Sequence, residues 1–209
     1  LFIRISNRLS KQTEVKKTVS ETFLMPEGIS VEDTSALKNT YSHGDEGCLS
    51  AVLSAELLEK FIRGFTGLIP EPIFFFLELP VSGSDDEFEL YYLDNCTAPV
   101  ISTLITEYGQ MLINDGLCRF GFGGNESGDE IYVQRYKVMS IYSPDGGRLK
   151  KTEKLLKDLG ASPVTDLVTP WDVISEENPA VCASVEEDGI SAFDLPEMLE
   201  KAGMYKAEN

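Results

Sequence analysis

The run Ile73-Phe74-Phe75-Phe76-Leu77 stands between Pro70 and Pro72 on one side and Pro80 on the other, and it constrains the fold more than any other segment. Proline removes a backbone donor and disfavours helix in the residue before it, while clustered aromatics favour the pleated surface of a sheet. The run is far shorter than the roughly 18–20 apolar residues that a membrane-spanning helix needs, so it reads as a buried strand over 73–79. After the polar loop Val81-Ser82-Gly83-Ser84-Asp85-Asp86, residues 88–93 read as a second strand. The two form a hairpin with a longer connection.

Other strand signals also come in hairpins. Residues 117–121 and 130–142 read as strands on either side of a glycine-rich turn, with Pro144-Asp145-Gly146-Gly147 closing the hairpin. Residues 181–185 and 190–193 flank Glu187-Asp188-Gly189, and Asp-Gly suits a tight hairpin turn. Apolar residues at three- and four-residue steps predict a helix over 49–65, stopped by Gly64 and Gly67. A second helix follows the N-cap Thr97, with Ile101, Leu104, Ile105, Tyr108, Met111 and Leu112 as its stripe. A basic helix is expected over 148–159, and a last helix over 195–202 is capped by Asp194 and followed by a fraying tail. Hairpins outnumber β-helix-β crossovers. The expected fold is therefore α+β, a mostly antiparallel sheet covered by roughly three to five helices.

The start of the chain reads differently. Leu1 to Ile5 alternates like an edge strand, Thr13 to Phe23 has helical spacing through Val15, Val19 and Phe23, and Pro26 to His43 is polar and turn-rich, like a long loop. The first 41 residues carry a net +1, and the remaining 168 carry −18. This divides the chain into an arm or subdomain over 1–43 and a single α+β domain over 44–209.

The overall charge of −17, from 18 Lys and Arg against 35 Asp and Glu, sets the expected partners. Duplex nucleic acid and anionic membranes are repelled over about a Debye length, ~8 Å at physiological salt, and a basic protein is attracted. No leader and no apolar span is recognisable, which gives cytoplasmic as the default location. Cys48, Cys96, Cys118 and Cys182 form no CxxC and read as reduced thiols.

Catalytic signatures are weak. The segment Gly121 to Gly128 lacks the lysine and following helix of a phosphate loop, so it reads as a turn. His43 is the single histidine; Cys48 and Ser50 lie near it in sequence, but in no nucleophile motif. Cys96 precedes a helix N-terminus, which would favour a thiolate, while Asp94 opposes it. No cofactor is expected. Glu126, Asp129 and Glu130 at the glycine-rich turn offer the oxygen ligands that Ca²⁺ or Mg²⁺ prefers, without EF-hand spacing. They support one alternative, a carboxylate- or metal-dependent hydrolase or transferase.

Charge distribution says more. There are seven acids and no base from Glu71 to Asn95, and eleven acids and no base from Asp158 to Glu200, with a basic helix between these segments. The leading expectation is a non-enzymatic, acidic protein-binding domain for a basic partner, a composition shared by small inhibitor and immunity-type proteins. Its interaction surface is assigned to Asp85, Asp86, Glu87, Glu126, Asp129, Glu130, Trp171, Glu176 and Glu177. Tyr91, Tyr92, Phe120, Phe122, Tyr132, Tyr136, Tyr142 and Trp171 are the aromatics available as anchors, most of them expected in the core or on sheet faces. A regulatory domain with a non-basic partner is the remaining alternative, and the oligomeric state stays open.

Overall fold

A computed structural model describes residues 23–81 and 87–208. In chain order the elements are β1 (Ile29–Val31), β2 (Thr40–His43), β3 (Cys48–Val52), α1 (Ala55–Thr66), β4 (Ile73–Pro80), β5 (Phe88–Cys96), α2 (Ala98–Asn114), β6 (Arg119–Gly124), β7 (Glu130–Val133), β8 (Met139–Tyr142), α3 (Gly146–Asp158), β9 (Ser162–Pro163), α4 (Pro170–Val173), β10 (Ala180–Cys182), β11 (Glu186–Glu187), β12 (Ile190–Ser191), α5 (Leu195–Leu199) and β13 (Tyr205–Lys206). Among the described residues nine strands make one sheet in the order β13-β5-β4-β6-β7-β8-β3-β2-β9. Every pair in it is antiparallel except β2 with β9. The fold is thus α+β with a mostly antiparallel sheet. Among the described residues no helix is long and apolar enough to cross a membrane.

Strand alternation gives the sheet two unlike faces. Ile73, Phe75 and Leu77 of β4, Phe120 and Phe122 of β6, and Ile131 and Val133 of β7 turn to one side and are almost wholly buried. There they meet Leu58, Phe61 and Phe65 of α1, Ile101, Leu104 and Ile105 of α2 and Leu156 of α3 in a single core. Each such side chain contributes about 1.5–3 kcal/mol by leaving water. The opposite face is made by the alternate residues of the same strands.

Several elements depart from the sequence reading. The helix expected over 49–65 begins only at Ala55, because Cys48–Val52 is a strand held between β2 and β8. Leu49 and Ala51 reach the core by alternation, and hydrogen bonds to two neighbouring strands outweigh the local helical spacing. The stretch read as a loop up to His43 contains β1 and β2, and Tyr41 of β2 is fully buried. The long strand over 130–142 is instead a hairpin, β7 and β8, turned by a 3-10 segment at Arg135–Lys137. Tyr136 and Lys137 there take φ of 56° and 58°, left-handed values unusual for non-glycine residues.

Pro144–Gly147 closes no hairpin. It opens α3, whose N-cap Asp145 accepts a hydrogen bond from the Arg148 amide at 2.8 Å. The Asp188-Gly189 turn, with φ of 52° and 79°, joins β11 to β12, while β10 pairs with β1. The tail expected to fray supplies β13 on the edge of β5. The expectations for Leu1 to Ile5 and for most of Thr13 to Phe23 lie outside the described residues, as does most of the 81–86 loop.

Candidate functional site

The outer face of the sheet, opposite the helices, carries a continuous cross-strand row. Tyr205 pairs with Tyr92, Tyr92 with Phe76, Phe76 with Gly121, and Gly121 with Tyr132. The row continues through Ser140 and Ser50 to Ser42. A parallel row runs from Phe74 through Gly123 and Glu130 to Tyr142 and Cys48. A third joins Leu90, Glu78 and Arg119. Phe74, Glu78, Tyr92, Tyr132, Ser140, Ser50 and Ser42 all keep partial solvent access, and Glu130 and Tyr205 are exposed.

The two glycines explain how the rings lie. A Cβ at Gly121 would stand 2.4 Å from the Phe76 ring, and one at Gly123 would stand 2.3 Å from the Phe74 ring. The two phenylalanines therefore fold down over the bare backbone of β6. Their rings meet each other at 6.2 Å between centroids, and each meets Tyr92 at 6.1 Å. Tyr132 closes on Phe76 at 5.4 Å, and Tyr205 on Tyr92 at 6.2 Å. Tilted and edge contacts of this kind are worth about 0.5–1.5 kcal/mol each beyond the area they bury. The result is an aromatic pavement stiffened by its own packing.

Carboxylates border the pavement. The Tyr132 hydroxyl donates to Glu78 Oε2 at 2.6 Å, and the Tyr205 hydroxyl donates to Asp94. Burial, reinforced by the bond to Glu78 and opposed by Arg119, pushes the Tyr132 phenol up to about 12. The Tyr92 phenol is also raised, first by burial and then by the charges of Glu130, Asp94 and Glu78. Surrounding protein partly desolvates Glu130 and raises its carboxyl, although the residue still reaches solvent. One cation already uses this chemistry: Arg119 lies over the Phe88 ring at 3.8 Å and pairs with Glu78 at 3.6 Å. Negative ring faces next to carboxylates attract cations, and a guanidinium suits both at once.

The residues singled out from the sequence do not converge. Asp85 and Asp86 lie outside the described residues, and Glu87 is exposed at the start of β5. Glu126 is exposed on the turn after β6, and Glu130 belongs to the outer face. Asp129, assigned from the sequence to the interaction surface, does not reach it: its side chain is 1% exposed and paired with Arg148 Nε at 2.8 Å. It also accepts a hydrogen bond from the Ser143 hydroxyl at 2.5 Å. Burying this carboxylate ties the turn to the start of α3, and its charge is spent there. Among the described residues no three His, Cys, Asp or Glu side chains gather as metal ligands. Trp171, 53% exposed, packs edge-on to Tyr136 at 4.6 Å on α4, with Glu176 and Glu177 exposed just beyond.

His43 and its sequence neighbours are separated by the same alternation. His43 pairs in register with the core-facing Leu49, and its Nε2 is 3.0 Å from Glu153 of α3. Cys48 and Ser50 fall on the alternate positions of β3, toward the outer face. The Cys96 thiol is raised by burial and by Asp94, the opposite of activation. All four cysteines are free thiols. Of the anchors considered from the sequence, Tyr92, Tyr132 and Tyr142 are on the outer face, whereas Phe120 and Phe122 are core. Phe74, Phe76 and Tyr205 were not foreseen. The signal for Phe74 and Phe76 is the alternation Phe120-Gly121-Phe122-Gly123, which leaves one side of β6 bare for rings from the aromatic strand.

Comparisons with protein-family models, with curated proteins and with solved structures find no match for this chain.

Proposed function

We propose that this chain is a non-enzymatic binding domain that engages a basic protein through the outer face of its sheet, in the manner of an inhibitor or immunity-type protein. The observation that carries this reading is the aromatic pavement of Phe74, Phe76, Tyr92, Tyr132 and Tyr205 with Glu78, Asp94 and Glu130 at its border. Buried aromatics supply most of the energy of protein interfaces, and complementary charge supplies association rate and selectivity. The net charge of −17 favours the same class of partner. The paired cations of α3 are taken up away from this border: Lys154 and Lys157 pair with Asp158 and Glu153 of their own helix, and Arg148 with Asp129 and Asp145.

The test is capture of the full chain on an immobilised small basic protein such as lysozyme. Retention is expected at low salt and release as salt rises, with retention lost in a Phe74→Ala, Tyr92→Ala double variant shown by circular dichroism to be folded. Absence of capture at any salt, or capture that the double variant leaves unchanged, overturns the reading.

A further inference from the structure

We propose that the group recognised by the outer face is an arginine side chain of the basic partner, its guanidinium stacked on Phe74 and paired with Glu130. This rests on the preceding reading of the face as a site for a basic protein. The face contains a filled example of the arrangement. Arg119, in the row with Glu78, stacks on Phe88 and pairs with that carboxylate. Four residues along β4 and β6, Phe74 lies over Gly123, and Gly123 is the direct cross-strand partner of Glu130. Ring and carboxylate are thus brought together again, without a cation. Among the described residues the Glu130 carboxylate has neither a hydrogen bond nor an ion pair.

Asp94 strengthens the local field from the other side of Phe74. Its hydrogen bonds come from neutral donors, the Tyr205 hydroxyl and the Asn125 amide, so its charge is not cancelled. A guanidinium fits better than an ammonium. It is planar, so it lies flat on a ring while its edge donates to a carboxylate, and it loses less hydration in doing so. A lysine would satisfy the charge but would leave the ring contact weaker.

The experiment titrates the full chain by calorimetry, at one salt concentration, with two short peptides of equal length and charge, one of arginine and one of lysine. The arginine peptide is expected to bind about tenfold more tightly. Glu130→Gln, at an exposed position, is expected to remove that preference. Glu177→Gln, an equal loss of charge elsewhere, is expected to preserve it. Equal affinity for the two peptides, or equal effects of the two substitutions, overturns the arginine assignment while lysozyme capture still supports the broader reading. Failure of both peptides and of lysozyme to bind overturns both.

Discussion

Arg148→Ala removes the ion pair that holds the acidic turn inward, along with a longer, more exposed one to Asp145. The substitution leaves Asp129, 1% exposed, with the Ser143 hydroxyl as its remaining side-chain partner. Removing one member of a buried pair costs about 3–5 kcal/mol, because the survivor is a desolvated, uncompensated charge. The Arg148 side chain is 24% exposed, so water enters the space it vacates. That places the cost at the lower end, about 3 kcal/mol. For a chain of this size 1 kcal/mol moves the melting temperature by about 2–4 °C, so the expected fall is about 6–12 °C. Thermal and urea unfolding followed by circular dichroism measure it. Asp129→Asn added to Arg148→Ala removes the orphaned charge and should recover part of the loss. A single-variant change below about 0.5 kcal/mol, or no recovery in the double variant, refutes the buried pair as the reason this turn is closed.

Three further outcomes follow from the same geometry. Gly121→Ala drives a Cβ into the Phe76 ring and the Ile131 carbonyl, so it should cost at least about 1–3 kcal/mol in urea unfolding, whereas Gly146→Ala, which meets nothing within 4 Å, should be nearly neutral. Tyr91, hydrogen-bonded to Glu89, and Tyr132 are both pushed up to about 12, so an ultraviolet titration should show them ionising after ordinary tyrosines. Because the folded state holds these protons more tightly, their stabilisation is present below about pH 10 and is lost as pH rises toward 12; Tyr132→Phe should remove one late-titrating group. Asp145, Asp172 and Asp194 are held below the usual range by the backbone amides of Arg148, Thr169 and Ser191 respectively. Their contribution is present above about pH 4 and lost as pH falls through the lowered values, so replacing all three by Asn should flatten the acid limb of a melting-temperature profile.

What the sequence disclosed depended on whether local pattern and tertiary contact agreed. In α2 they agree: the stripe from Ile101 to Leu112 faces the core, and Thr97 stands at its N-terminus. In Cys48–Val52 they conflict. Leu49, Val52 and Leu53 continue the helical spacing of α1, yet Leu49 and Ala51 also satisfy strand alternation, and pairing with β2 and β8 decides. The short strand β13 has no sequence signal that separates it from a loose tail; it exists because the β5 edge accepts it. The site was legible only in part. Charge indicated the class of partner, but an acidic residue in a sequence does not reveal whether it meets solvent or an arginine, and Asp129 and Glu130, adjacent in the chain, have opposite fates. Likewise Phe74 and Phe75 look alike in a run of aromatics. The alternating Phe120-Gly121-Phe122-Gly123 of the neighbouring strand assigns one to the pavement and the other to the core.

The most direct measurement is the aromatic-proton NMR spectrum of the full chain as lysozyme is added at low salt. Ring signals of Phe74, Tyr92, Tyr132 and Tyr205 should shift, while those of Phe61 and Phe75 in the core and Trp171 on α4 stay in place. Shifts centred on Trp171, or an unchanged spectrum at saturating lysozyme, would contradict the assignment of the outer sheet face as the binding surface.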